Sequence, residues 1–276
     1  MHYYEFFVDL LNNRNGMKVI NLNHTIYAAA ITVSVAFTAQ AQKLPTVQQA
    51  GLYAPANIKV DGKTTEWGNK FQAYNKNTSV FYTIANDADN LYLAVKASDQ
   101  IIIDKILSGG IALTISSVDS KTLSPISIIS PILPRPARGP IVVKIRDTGV
   151  LTNGDVAELN KALTANFKEI TVSGIAAISQ QSISIYNDYS IKASALVDIT
   201  KAINYELTIP IKYLSSLVSG AGTFNYNIRL SGEKINTSTT VVVVNGYAAG
   251  QAPSADPYME LFSPTDFSAT YTLAKK

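Results

Sequence analysis

The chain has 276 residues, a formal net charge of +3 and no cysteine. Apolar residues make up 47% and charged residues 16%, a balance that is typical of a globular protein and excludes a disordered chain. The absence of cysteine excludes disulfides, thiolate nucleophiles, zinc–cysteine sites and iron–sulfur clusters. The small positive charge gives no reason to expect a nucleic-acid partner.

The first predicted element is an export signal. Thr25–Thr38 is uncharged and largely apolar, Lys18 precedes it, and Ala39–Ala41 has the A-x-A pattern of a cleavage site. This run is too short for a membrane span, which needs about 20 residues. We expect residues 1–16 to be an upstream extension and residues 17–41 a signal peptide, the alternative being a buried segment of the fold. The mature chain has no other apolar run long enough for an integral span, so we expect a periplasmic or extracellular protein.

Cleavage at that position would remove both histidines, His2 and His24, and residues 42–276 contain neither histidine nor cysteine. A Ser–His–Asp triad, a Cys–His pair, a histidine-ligated zinc and a histidine-ligated haem are therefore excluded from the mature chain. No pair of acids has a spacing that selects it for glycoside hydrolysis. We expect no catalytic residues and no enzymatic activity.

The mature chain begins with a polar leader over residues 42–56. Asn57–Val60 then alternates and stops at an Asp-Gly turn, which indicates a short strand. Val80–Ala85 and Leu91–Ala97 are rich in β-branched and aromatic residues and are separated by a polar, acidic stretch. This arrangement predicts a β-hairpin.

Helix signals appear at two places in the middle of the chain. Asp99–Ser108 has an N-capping aspartate and two following glycines, and Asp155–Phe167 has apolar residues at helical spacing. Ile111–Ser116 between them reads as a strand. Pro125–Pro140 contains five prolines, a density that predicts a loop or an excursion at a sheet edge.

The remaining chain reads as further strands separated by turns. These strands are predicted at Glu169–Ala177, Ser182–Tyr186, Ile191–Val197, Tyr205–Ile209, Phe224–Glu233, Thr239–Val244 and Ala269–Leu273. The pattern predicts an all-β fold, an antiparallel β-sandwich of about ten strands with two short helices. We expect a single domain over residues 57–276.

Two stretches of sequence carry a resemblance to a known family. The first is Ile58–Lys63 followed by Glu66 and Trp67, which leads into the hairpin; the second is Tyr205–Pro210, with the sequence YELTIP. In this order they resemble the family 9-like carbohydrate-binding module, a β-sandwich of secreted bacterial proteins. The resemblance spans about Asn57 to the last strand, with a poor match in the middle. It implies a sugar ligand held between tryptophans.

The candidate ligand-binding residues are aromatic. Trp67 is the single tryptophan, and it lies in the fold-making motif, so a core position is favoured over a sugar platform. Tyr186 and Tyr189 lie in a predicted turn between strands, and Tyr247 and Tyr258 flank a Gly/Ala/Pro-rich loop. These four are the substitute candidates, although tyrosine is also simply common in this chain, with 15 copies.

Two sets of charged residues are further candidate sites. Asp87 and Asp89 in the hairpin turn could hold calcium, but two carboxylates are few, and a plain Asx turn is favoured. A basic set could meet an acidic polymer, although a solvated loop is favoured. This set consists of Arg135, Arg138, Lys144 and Arg146.

The sequence thus predicts a secreted, non-catalytic carbohydrate-binding protein without a cofactor. Its expected partner is a polysaccharide or oligosaccharide, bound weakly through loop tyrosines. The alternative is a structural or protein-interaction sandwich that has lost the sugar site. Fold alone does not decide between these two functions.

Overall fold

A computed structural model describes residues 43–234 and 259–276. The predicted signal peptide, the predicted strand Thr239–Val244, Tyr247 and Tyr258 lie outside the described residues. The described chain forms two antiparallel sheets that pack face to face, with helices at their margins. The predicted all-β sandwich is therefore confirmed.

The first sheet has five strands. In spatial order they are β1 (Ala73–Asn75), β2 (Val80–Asn86), β3 (Asn90–Ala97), β9 (Ile203–Pro210) and β8 (Lys192–Val197). All neighbouring pairs are antiparallel. The second sheet has six strands, and all of its neighbouring pairs are antiparallel as well. In spatial order they are β11 (Thr265–Thr272), β10 (Thr223–Leu230), β4 (Ile111–Ser116), β5 (Ile126–Ser130), β6 (Glu169–Ser173) and β7 (Ser182–Ser184).

The described residues include four α-helices and a short 3-10 helix that follows β9. They are α1 (Gln100–Gly109), α2 (Arg135–Arg146), α3 (Asn153–Asn166) and α4 (Met259–Phe262), with the 3-10 helix at Ile211–Tyr213. Two of the four were not predicted. In this part of the chain, none of the helices has the length and apolarity that a bilayer crossing needs.

The main core lies between the two sheets. Alternating residues of each strand point inward, which is why the predicted strands show period-2 apolar patterns. Buried tyrosine hydroxyls meet across the interface: Tyr82 and Tyr226 are 2.9 Å apart, and Tyr205 lies 2.8 Å from the Ser130 hydroxyl. These pairs satisfy hydroxyl groups that would otherwise be buried without a partner.

The hairpin and the two predicted helices are confirmed. In α1 the Asp99 side chain accepts hydrogen bonds from two first-turn amides, and Gly110 with φ +77° ends the helix. At the start of α3, Thr152 and Asp155 form a reciprocal capping box. These caps satisfy backbone groups that the first helical turn leaves free.

The prediction of a loop over Pro125–Pro140 is wrong. Residues 126–130 form β5 in the interior of the second sheet, and α2 begins at Arg135. The prolines fall where a missing N–H is harmless: one before β5, one after it, one at the N-cap of α2 and one in its first turn. Only Pro140 lies beyond the first turn of α2. The position of each proline within its element, rather than the number of prolines in the stretch, decides whether a strand or helix forms.

The predicted strand Asn57–Val60 is also wrong, because these residues form no ladder in the structure. They belong to a segment over residues 52–71 that crosses the outer face of the first sheet. Apolar side chains of this segment, Trp67 among them, pack on Ala85, Tyr92 and Ala94 in a second, smaller cluster. The alternation of apolar and polar residues resembles that of a strand because the segment buries one side against the sheet, but its backbone does not pair with the sheet.

Candidate functional site

The outer face of β9 carries three polar residues, all buried. Asn204, Glu206 and Thr208 are 6%, 2% and 6% exposed, and they alternate with the inward apolar residues of the strand. They are buried because the segment over residues 52–71 and the edge strand β8 lie beside and above them. Buried polar groups on the outside of a sandwich are unusual and need partners.

Glu206, the middle residue of this row, fixes the segment over residues 52–71, which we call the covering segment, in place. Its Oε1 accepts a hydrogen bond from Trp67 Nε1 at 2.8 Å, and its Oε2 accepts from the backbone N–H groups of Asp61 and Gly62 at 3.0 and 2.9 Å. Burial raises the pKa of Glu206 to about 7, although these hydrogen bonds act in the opposite direction. The two motifs of the family resemblance therefore meet at one carboxylate.

Trp67 belongs to this structural contact. It is 8% exposed, its ring meets the Tyr92 ring edge-on with centroids 6.2 Å apart, and its N–H is used by Glu206. Neither face of the indole is open for a sugar. The core interpretation of Trp67 agrees with this burial.

Next to this contact lies a cleft of about 530 Å³, which we call the β9 cleft. Its lining residues are Ile58, Lys59, Val60, Asn90, Tyr92, Ser190, Lys192 and Thr208. Strand register builds its floor, because Thr208 is paired with Tyr92 on β3 and with Lys192 on β8. The three side chains therefore stand side by side on the same face, at the strand spacing of about 4.8 Å.

Thr208 is the residue of this floor whose buried polar atom lacks a hydrogen-bond partner in the described part of the chain. Its hydroxyl is buried and has no hydrogen-bond partner among the residues that the structure describes. Its neighbour Tyr92 differs, since the phenol donates to Asp87 Oδ2 at 2.7 Å. A buried hydroxyl without a partner costs about 1–3 kcal/mol, so a ligand that bonded to it would recover part of that cost.

The predicted tyrosine turn lies beside the β9 cleft. Ser190, which follows Tyr189, lines the cleft, and the Tyr189 carbonyl accepts a hydrogen bond from Tyr213 at 3.2 Å. Tyr186 is 76% exposed, whereas Tyr189 is half-buried against the core. One ring of this turn is therefore available to stack on a ligand.

The acidic turn reaches the same end of the sheet, since the Asp89 carbonyl accepts from Ile211 N and Asn90 lines the cleft. Both Asp87 oxygens are engaged: Oδ1 accepts from the Asp89 and Asn90 amides, and Oδ2 from Tyr92. Burial opposes ionisation of Asp87, but these bonds outweigh it and lower its pKa. The turn is closed by its own hydrogen bonds, as an Asx turn is.

The basic set does not form a solvated loop, so that prediction is wrong. All four residues lie on α2, and Arg138 is buried between Asp104 of α1, at 2.9 Å, and Glu233, at 2.8 Å. Arg146 also contacts Asp104 at 2.9 Å, and Lys144 lies 2.9 Å from Asp155 of α3. Arg135 alone is well exposed, with Glu233 at 3.9 Å. Arg138 and Arg146 thus join α2 to α1, and Lys144 joins α2 to α3.

Sequence reasoning missed Tyr92, Lys192 and Thr208 as site residues. Thr208 lies within the YELTIP motif, and its place between two inward residues was a signal that it faces outward. Its pairing with Tyr92 and Lys192 depends on strand register and could not be read from sequence. No protein-family model matches the chain, and searches of curated proteins and of solved structures also find no match.

Proposed function

We propose that this protein is a non-catalytic carbohydrate-binding protein and that its sugar site is the β9 cleft. The observation that carries the proposal is the unpartnered Thr208 hydroxyl on the floor of a cleft of about 530 Å³. Sugars present many hydroxyl groups that both donate and accept hydrogen bonds, which suits a lone threonine hydroxyl. The resemblance to the family 9-like carbohydrate-binding module supports the same function.

The rim of the cleft supplies the apolar contact that sugar binding needs. Tyr186 is 76% exposed and belongs to the turn whose residue Ser190 lines the cleft, and an aromatic face packs against the C–H groups of a pyranose. One such ring contributes about 0.5–1.5 kcal/mol, and one or two new hydrogen bonds add about 1 kcal/mol each. Together these contacts supply about 1.5–3.5 kcal/mol, so we propose weak binding, with Kd values of a few millimolar or above.

Replacing Thr208 with valine is expected to weaken saccharide binding about 5- to 10-fold, because the isosteric side chain lacks the hydroxyl. The free energy of unfolding should stay unchanged or rise, since the variant also removes a buried unpartnered group. A glycan array identifies a ligand, and isothermal titration calorimetry then compares the variant with the unmodified protein.

Thr270→Val is the matched control, because Thr270 is exposed on the outer face of the second sheet. Tyr186→Ala tests the stacking ring separately and is expected to weaken binding about 2- to 10-fold. Equal affinities for Thr208→Val, Thr270→Val and the unmodified protein would show that the sugar does not occupy the β9 cleft.

A second candidate function is a structural or protein-interaction sandwich. The burial of Trp67 favours it, because the chain's single tryptophan is committed to the contact with Glu206 and offers no platform. Under this alternative, no glycan on the array, neutral or charged, gives a binding signal.

We further propose that the protein is exported. The basis is the apolar run Thr25–Thr38 with the A-x-A pattern behind it. N-terminal sequencing of protein from the periplasm or culture medium should then begin at or near Gln42. A sequence beginning at Met1 or Met17 would contradict export by this signal.

A further inference from the structure

The charges that line the β9 cleft are all of one sign. Lys59 contributes from the covering segment and Lys192 from the edge strand β8, and the lining contains no carboxylate. In the described part of the chain, neither ammonium group forms an ion pair with an acidic side chain. Both lysines are exposed, so they can reorient toward a ligand.

Three acidic side chains around the cleft are engaged by donors of the protein itself. Asp87 is held by Tyr92 and two turn amides, and Asp61 Oδ1 accepts from the Lys63 amide while its other oxygen lies 4.0 Å from the Lys63 ammonium. Glu206 accepts three hydrogen bonds beneath the covering segment. Their charges are thus directed at protein donors instead of at the cleft.

Three other charged groups lie near this end of the sheet without lining the cleft. Asp188 belongs to the tyrosine turn and Asp89 to the acidic turn, while Lys212 lies over the Tyr213 ring at 5.1 Å. These three groups give the rim charges of both signs, whereas the cleft lining contains two cations beside Thr208. Because the two lysines line the cleft and Asp89 and Asp188 do not, a ligand seated there is in direct reach of the ammonium groups.

From this arrangement we infer that the saccharide bound in the β9 cleft is anionic, with a carboxylate or a sulfate group placed between Lys59 and Lys192. The inference rests on the proposed function and narrows its ligand to one class. Thr208 bonds a ring hydroxyl, Tyr186 packs on the apolar face, and the two ammonium groups select the charge. Carboxylate and sulfate share this chemistry, and separate probes distinguish them.

The test compares three probes of equal length by titration calorimetry: an oligogalacturonate, a sulfated oligosaccharide and a neutral gluco-oligosaccharide. At least one charged probe is expected to bind about 5-fold or more tighter than the neutral one at low salt, and to lose most of that advantage at about 0.5 M salt. Whichever charged probe binds tighter identifies the anionic group.

Variants then locate the charge selectivity. Lys59→Gln combined with Lys192→Gln is expected to weaken the charged probe about 3- to 20-fold and to leave neutral binding unchanged. Lys121→Gln is the matched control, because Lys121 is exposed in the β4–β5 connection, away from the cleft lining.

The outcomes separate the two proposals. If the neutral probe binds as tightly as the charged probes and the lysine pair has no effect, the anionic class is wrong, and a loss of affinity in Thr208→Val still supports the site. If a probe binds and neither the lysine pair nor Thr208→Val changes its affinity, both the class and the site are overturned. Absence of binding by all three probes overturns both as well.

Discussion

Replacing Arg138 with methionine is expected to lower the free energy of unfolding by about 3–5 kcal/mol. The guanidinium group is 8% exposed and contacts the carboxylates of Asp104 and Glu233 at 2.9 and 2.8 Å. Methionine fills a similar volume but leaves two carboxylates without their shared cation in a desolvated place. Burial already raises the pKa of Asp104 against the pull of Arg138 and Arg146. Urea denaturation measures the loss.

Arg135→Met is the matched control on the same helix. Its guanidinium is 84% exposed and lies 3.9 Å from Glu233, so we expect a change of about 1 kcal/mol or less. A loss in Arg138→Met no larger than that in Arg135→Met would show that the ion pairs of Arg138 do not stabilise the contact between α1, α2 and the residues after β10.

Replacing Glu206 with alanine is expected to cost about 3–5 kcal/mol, because three N–H donors lose their acceptor under a buried segment. Trp67→Phe keeps a ring in place and removes one donor, so a smaller loss of about 1–3 kcal/mol is expected. Glu66→Ala is the control, since the Glu66 carboxylate accepts an exposed hydrogen bond from the Thr65 hydroxyl and lies outside the Glu206 contact. If Glu206→Ala does not fold, the Trp67→Phe variant still tests the contact.

The pH profile gives this contact a second signature. The pKa of Glu206 is about 7 in the folded protein, above its ordinary value of 4.5, because burial disfavours the charged form. The folded state therefore holds this proton more tightly than the unfolded state. Its contribution to stability is complete below about pH 4.5 and is lost as the pH rises through 7. In Glu206→Gln the free energy of unfolding should not decline over this pH range. If the variant and the unmodified protein show the same pH dependence, the raised pKa does not belong to Glu206.

The local elements followed from sequence. The hairpin of β2 and β3, the capped helices α1 and α3, and strand β4 depend on contacts within a few residues: alternation, an N-capping side chain, or a glycine that tolerates positive φ. Such signals lie next to one another in the chain. The sequence also excluded histidine and cysteine chemistry from residues 42–276, whatever the fold.

The proline-rich stretch shows where local reasoning failed. Five prolines in sixteen residues indicate a loop on average, but β5 fits between two of them and α2 begins at two more. Whether a proline breaks an element depends on its place in that element, because only a backbone N–H needed for a hydrogen bond is missed. The partners β4 and β6, which make β5 an interior strand, lie elsewhere in the sequence.

The candidate site was decided by tertiary structure. Composition and motifs pointed to exposed tyrosines and to Trp67, and those motifs are the ones that meet at Glu206. The β9 cleft, however, exists because register places Tyr92, Thr208 and Lys192 in one row and because residues 58–60 of the covering segment line the same cleft. The Tyr92–Thr208 pairing joins residues more than one hundred positions apart, and the register of this pair and of the Lys192–Thr208 pair is set by the assembled sheet. A single sequence names the side chains that can bind a ligand, and only long-range packing brings them together on one surface.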